Sequence, residues 1–180
     1  SPSRGLGDVY KRQKTAIVKT VDKGISKKRA PLLFNLAELQ AECSKRFKIS
    51  PDETLQVAQD LYERKLTTYP RTDARVLSSA VAKEISKNIR GLRSFEPVAP
   101  YVQNIVEHGL YKNIGKSSYT DDSKITDHYA IIPTGQGLGA LKGLSLTAQR
   151  VYETIVRRFL SIFYPPAVYQ KVSLVTKMEN

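Results

Sequence analysis

The signals that start and stop helices constrain this chain more than any other feature of it. Asn35, with Glu38 three residues on, forms a capping box ahead of LAELQAECSKRF. Ser50, Pro51 and Glu53 open a second helix, with the proline where its missing amide costs nothing. In that helix Leu55, Ala58, Leu61 and Tyr62 fall at i, i+3, i+6 and i+7, an apolar face that must be buried, and the pattern ends near Arg64. Pro70 disfavours helical backbone at Tyr69, so LTTY, residues 66–69, reads as a short extended piece. A third helix is predicted from about Arg75, with Leu77, Val81, Ile85 and Ile89 on an i, i+4 stripe. PYVQNIVEHGL is a fourth, stopped by Gly109. From Thr147 a long amphipathic helix carries Val151, Ile155, Phe159 and Ile162 on one face until Pro165 and Pro166 end it.

Strand patterns lie outside this helical block. TAIVKTV, residues 15–21, is β-branched and loosely alternating, KGISKKRAP after it reads as a basic connection, and VYQKVSLVTKM closes the chain as a long strand pattern. Residues 110–145 read as mostly loop around one ordered phrase, TDHYAIIPT. The fold class is mainly α with short strands, an α+β chain. Helix, helix, short strand, helix is the grammar of a small winged-helix or helix-turn-helix unit, and strand patterns at both ends of a helical block read as one domain inserted in another, β-containing one. SPSRGLGDVYKRQ, residues 1–13, has no periodicity and reads as a non-native or disordered leader.

A formal charge of +12 and a pI near 9.8 make a polyanion the first partner to consider. The excess is front-loaded: the first 30 residues carry nine Lys or Arg against Asp8 and Asp22, a net of +7. One cysteine, Cys43, and two histidines exclude a disulfide framework and a clustered His/Cys metal site. No apolar run approaches a membrane span, so no membrane partner is expected and the reading is cytoplasmic.

The candidate chemistry sits in KLTTYPRTDAR, residues 65–75. If Tyr69-Pro70-Arg71 is extended, phenol and guanidinium fall on one side of the backbone and can converge on a phosphodiester. The guanidinium is a two-pronged donor that never loses its charge, suited to a pentavalent phosphorus, and the phenol can attack. Thr72 and Asp73 stand where the next helix is expected to begin, and free amides there favour phosphate. For this short piece alone, a core tyrosine, a surface arginine and two capping residues are the stronger reading, since a phenol needs help to act as a nucleophile near neutrality. TDHYAIIPT supplies a second piece. His128 can donate to a phosphate oxygen or exchange a proton, with Asp127 beside it to bias its charge, while Ala130, Ile131 and Ile132 pin the loop into a core.

Together the two phrases resemble the type IA DNA topoisomerases, and within them the topoisomerase III branch. The family's Y-x-R-T-D is matched by Tyr69, Arg71, Thr72 and Asp73, and its H-x-A-I-x-P-T by His128, Ala130, Ile131, Pro133 and Thr134, in the same order. The resemblance runs from about Lys14 to the end and implies a winged-helix-like, tyrosine-bearing domain over about residues 31–145, with 14–30 and 146–180 in the neighbouring β-containing arch. It implies a toroidal enzyme that cuts and rejoins one DNA strand through a 5′-phosphotyrosyl link at Tyr69, with Arg71 and His128 catalytic and Thr72, Asp73, Arg75 and Thr134 binding DNA or phosphate. It further implies single-stranded DNA as partner, at the bacterial nucleoid or on plasmids, and Mg²⁺ held by an acidic Toprim domain. No such domain is recognisable in this sequence, which therefore reads as a fragment, inactive alone and without a metal site of its own. Tyr129 departs from the second histidine common in the topoisomerase III branch, which implies altered tuning. The alternative is a basic winged-helix module that binds single strands without cutting, Tyr69 stacking on a base.

Overall fold

The computed structural model describes residues 23–172. The chain divides into two compact units, one formed by Ala30–Pro165 and the other by the two ends of the chain. In the unit of the two ends, β1 (Lys23–Lys28) pairs antiparallel with β2 (Ala167–Val172), Lys23 opposite Val172 and Lys28 opposite Ala167. β1 thus occupies KGISKK, a stretch expected to be a connection. The expected strand at 15–21 lies outside the described residues, as does the second half of the closing strand pattern.

The other unit is built from helices. α1 (Leu36–Phe47) and α2 (Pro51–Glu63) start where their caps predict, the Asn35 side chain accepting from the Glu38 amide and Ser50 Oγ from the Glu53 amide. Both pack on α6 (Leu146–Ser161), whose Val151, Ile155 and Phe159 are fully buried as its periodicity requires. Ser145 caps α6, which starts one residue before the expected Thr147 and lies within this helical unit. α5 (Ala99–Glu107) ends with Gly109 in the left-handed region, the Leu110 amide returning to the Ile105 carbonyl and the Gly109 amide to Val106.

The third helix departs from expectation. It begins at Ser79 rather than near Arg75, capped by Ser78, and breaks into α3 (Ser79–Lys83) and α4 (Ile85–Arg90). Leu77 is buried outside it, bridged to Thr120. Thr72 and Asp73 therefore cap nothing, and no helix N-terminus stands behind them to receive a phosphate.

Three short extended pieces supply what positions the site. Phe34 bridges Ile131 and Thr67 bridges Pro133, both antiparallel, so that the middle of TDHYAIIPT lies between the segment before α1 and the segment after α2. Two arginines hold the first of these segments. Arg75 donates to the carbonyls of Leu33 and Leu32, and Arg158 of α6 donates to Leu32 while its guanidinium lies 4.0 Å from the centre of the Phe34 ring. Desolvation among these groups pushes the Arg158 pKa down from its ordinary value.

Candidate active site

α2 determines where the tyrosine phrase starts. Its last turn closes with the Lys65 amide on the Tyr62 carbonyl and the Leu66 amide on Leu61, which requires the left-handed region at Lys65, φ 67°. The chain leaves extended: the Thr68 amide donates to Ile132, and the Thr134 amide donates to Leu66. The extended piece expected at 66–69 is thus one side of a short antiparallel pair whose other side is the histidine phrase.

Side chains reinforce that pairing. Thr68 Oγ1 donates to the Ala130 carbonyl and accepts from the Ile132 amide. Thr72 Oγ1 donates to the His128 carbonyl and accepts from the Ala74 amide. Thr134 Oγ1 donates to the Lys65 carbonyl at 2.6 Å and accepts from the Gln136 amide. Phrases some sixty residues apart in sequence are thereby joined by three threonine hydroxyls.

The result brings Tyr69 and His128 together, their ring centres 4.5 Å apart and tilted by 40°. Tyr62 meets Tyr69 edge to face at 5.2 Å. These rings line an open cleft of about 380 Å³ whose walls include Lys65, Thr67 and Gln136. Tyr69 is half-buried and His128 exposed, so the phenol is supported by the fold and the imidazole faces outward. No ion pair joins Asp127 to His128 among the described residues, and Asp127 is exposed.

The other expected site residues divide. Arg71 is exposed, with no hydrogen bond or ion pair among the described residues, but it does not line the cleft. The backbone turns at Arg71, the Thr72 amide donating to the Pro70 carbonyl. Thr72, buried, spends its hydroxyl on the two bonds above, and Arg75 spends its guanidinium on backbone carbonyls and a 3.7 Å approach to Glu38. Both have structural partners where phosphate contacts were expected. Asp73 is exposed, and its carbonyl accepts from the Asn35 side chain. Thr134 lines the cleft while holding its turn.

Sequence reasoning did not single out Tyr62, Lys65, Thr67 or Gln136. Tyr62 was counted in the buried face of α2, yet it is 39% exposed, and its place seven residues before Tyr69 was the available signal.

Among the described residues no three His, Cys, Asp or Glu side chains converge to hold a metal ion. Asp121 and Asp122 are committed to turns: Asp121 accepts from Ser123, and Asp122 accepts from the hydroxyl and amide of Ser79, bonds that draw both carboxyl pKa values down. The described residues do not fit Mg²⁺. No helix among the described residues is long and apolar enough to cross a membrane.

Comparison with known proteins agrees on one family. The family model described as DNA topoisomerase matches residues 5–180. DNA topoisomerase 3 of Bacillus subtilis is 39% identical over 166 residues, and that of Bacillus licheniformis is equally similar. Each alignment takes in 92% of this chain but 22% of the relative, so the chain spans about a fifth of the length of the curated relatives it matches. Among solved structures, full-length topoisomerase I from Thermotoga maritima aligns with a TM-score of 0.55 at 23% identity, over 83% of this chain and 23% of that one, a likeness of fold. The family match takes in every described element, the tyrosine phrase and the histidine phrase alike, and the chain belongs to the type IA DNA topoisomerase family.

Proposed function

We propose that this chain carries the nucleophile of a topoisomerase that cuts and rejoins one DNA strand. The Tyr69 hydroxyl attacks a phosphodiester, forming a bond from tyrosine oxygen to phosphorus while the bond from phosphorus to the 3′ oxygen breaks. The phenolic proton leaves and the 3′ oxygen gains one, so the products are a 5′-phosphotyrosyl link and a free 3′-OH. Reversal reseals the strand without an external energy source, since one phosphoester is exchanged for another. The observation that carries the reading is the 4.5 Å meeting of the Tyr69 and His128 rings in an open cleft, in a chain of this family.

In this reading His128 donates to a non-bridging phosphate oxygen and is placed to move a proton. Arg71, unpaired and exposed, swings onto the phosphate when DNA is bound and stabilises the charge that builds on phosphorus. Asp73 borders the DNA path. Mg²⁺ and an acidic Toprim domain belong to another part of a longer protein, and no step here is routed through them. The unit Ala30–Pro165, α6 included, serves as the winged-helix-like, tyrosine-bearing domain, and β1 and β2 belong to an arch of a toroid that opens to pass a second strand.

Covalent trapping tests the proposal. The full-length protein containing this chain is mixed with end-labelled single-stranded DNA and denatured, and the label retained on protein is measured. Tyr69→Phe should abolish the adduct and leave DNA affinity within about twofold, because the hydroxyl is the attacking atom and adds little to binding. An adduct that survives the change means that Tyr69 is not the nucleophile. Single-strand binding with no adduct in the unsubstituted protein selects the non-cutting module, Tyr69 then serving as a stacking platform.

A further inference from the structure

Lys65 stands where helix termination asks for glycine. It is the first residue past the cap of α2 and adopts φ 67°, a region that a side chain with a Cβ enters at a cost. The comparable turn after α5 has Gly109 at the same position, φ 60°. Lys48 shows that a left-handed lysine alone is not diagnostic, since it follows α1 and lines no described cleft. What distinguishes Lys65 is its surroundings. It forms part of the wall of the cleft that holds Tyr69 and His128, and its ammonium has no hydrogen bond or ion pair among the described residues. Its neighbour Arg64, by contrast, is neutralised by Asp60 at 3.0 Å.

The second observation is what stands beside Lys65. Thr67, two residues on, is 2% exposed with its hydroxyl oxygen sealed from the cleft, so the cation that this stretch of wall offers is Lys65, next to the edge-to-face pair of Tyr62 and Tyr69. A cation without a partner among the described residues, beside two aromatic rings, matches a nucleotide backbone: phosphate on the ammonium, sugar or base against the rings.

We propose that Lys65 forms a phosphate subsite next to Tyr69 that holds a phosphodiester neighbouring the one attacked and sets the position of the strand along the cleft. This rests on the reading of the cleft as a DNA site. Lysine stands at the end of α2 where glycine would cost less, so local stability is given up for a phosphate contact on the cleft wall. Lys65 is a positioning residue, acting on strand placement rather than on the reacting bond.

Stability and binding should then move in opposite directions. In Lys65→Gly, thermal unfolding should shift up by a few degrees as the backbone strain is relieved. Affinity for a single-stranded oligonucleotide should fall about three- to tenfold, and the slope of log K against log salt should drop by about 0.7, the counterion release of one lost phosphate contact on a single strand. Lys65→Arg should keep the slope, and Lys65→Gln should lose it without any gain in stability. The full-length protein is used throughout, with adduct formation by the unsubstituted protein and its Tyr69→Phe variant run alongside. An unchanged affinity and slope in both Lys65→Gly and Lys65→Gln overturns the subsite, whatever the melting temperature does. If instead the Tyr69→Phe protein still forms an adduct, the nucleophile assignment fails, while the Lys65 result still reports on phosphate binding.

Discussion

At the scale of single residues, the threonines decide whether Tyr69 and His128 meet. Thr72 Oγ1 links the His128 carbonyl to the Ala74 amide, so Thr72→Val should cost about 1 kcal/mol of stability, measured by chemical unfolding, and Thr72→Ser should restore most of it. Were Thr72 instead a phosphate ligand, the valine variant would lose DNA affinity with its stability unchanged. Arg71 has the opposite profile, without a structural partner among the described residues, so Arg71→Ala should leave the unfolding midpoint in place. It should raise the barrier to adduct formation on bound DNA by about 3 kcal/mol, with Arg71→Lys a partial rescue, because an ammonium cannot reproduce the two-pronged contact. Weaker DNA affinity with a normal rate at saturation would remove Arg71 from the chemistry. Cys43 reports on the core: burial pushes its thiol up to about 11 from 9.0. Below pH 9 it is neutral in both states; above that the unfolded chain sheds a proton which the folded chain keeps, so this contribution falls as pH rises toward 11. Alkylation of the native protein at pH 8 should accordingly be slow and should accelerate on unfolding.

At the scale of elements, the site depends on how closely the histidine phrase can approach α4. Asn88 donates its side-chain amide to the Pro133 carbonyl, and a Cβ built on Gly91 would meet the Gly135 oxygen at 2.3 Å and its Cα at 2.6 Å. Those are backbone atoms in a turn that already needs Gly135 at φ 83°, so they cannot yield by rotating a side chain. Gly91→Ala should therefore cost about 1–3 kcal/mol as an overpacked contact, and it should lower adduct yield by displacing the phrase that carries His128. Unaltered stability in that variant would mean that the approach is slack. The start of α2 is a purely local matter by comparison. Ser50→Ala removes the cap and should cost about 1 kcal/mol with no effect on the adduct formed per folded molecule.

At the scale of the molecule, charge and fold separate. The first 30 residues hold +7 of the +12, so any measured affinity for nucleic acid mixes a sequence-independent attraction with the cleft. Deleting residues 1–13 should leave a single-strand affinity that a duplex of equal length does not match, and a total loss of binding would assign the interaction to those thirteen residues. The helices were legible because their causes are local: a serine or asparagine three residues from an amide, a proline at the first position, an apolar face every third or fourth residue. The tyrosine and histidine phrases could likewise be recognised, since motif spacing lies along the chain. What only the tertiary structure decided is everything that depends on partners distant in sequence. Thr72 and Asp73 had the composition of a helix cap, but Thr72 is claimed by His128, 56 residues on, and the Asp73 carbonyl by Asn35, 38 residues back, so the helix waits for Ser78. Tyr62 had the spacing of a core residue and became a wall of the cleft because Tyr69 returns beside it. Arg75 had the charge for a phosphate and found the carbonyls of Leu32 and Leu33 first. Local sequence sets which hydrogen bonds a segment can make, and the long-range pairing of three short extended pieces chooses among them, because a buried polar group takes the partner that the packed fold brings within reach.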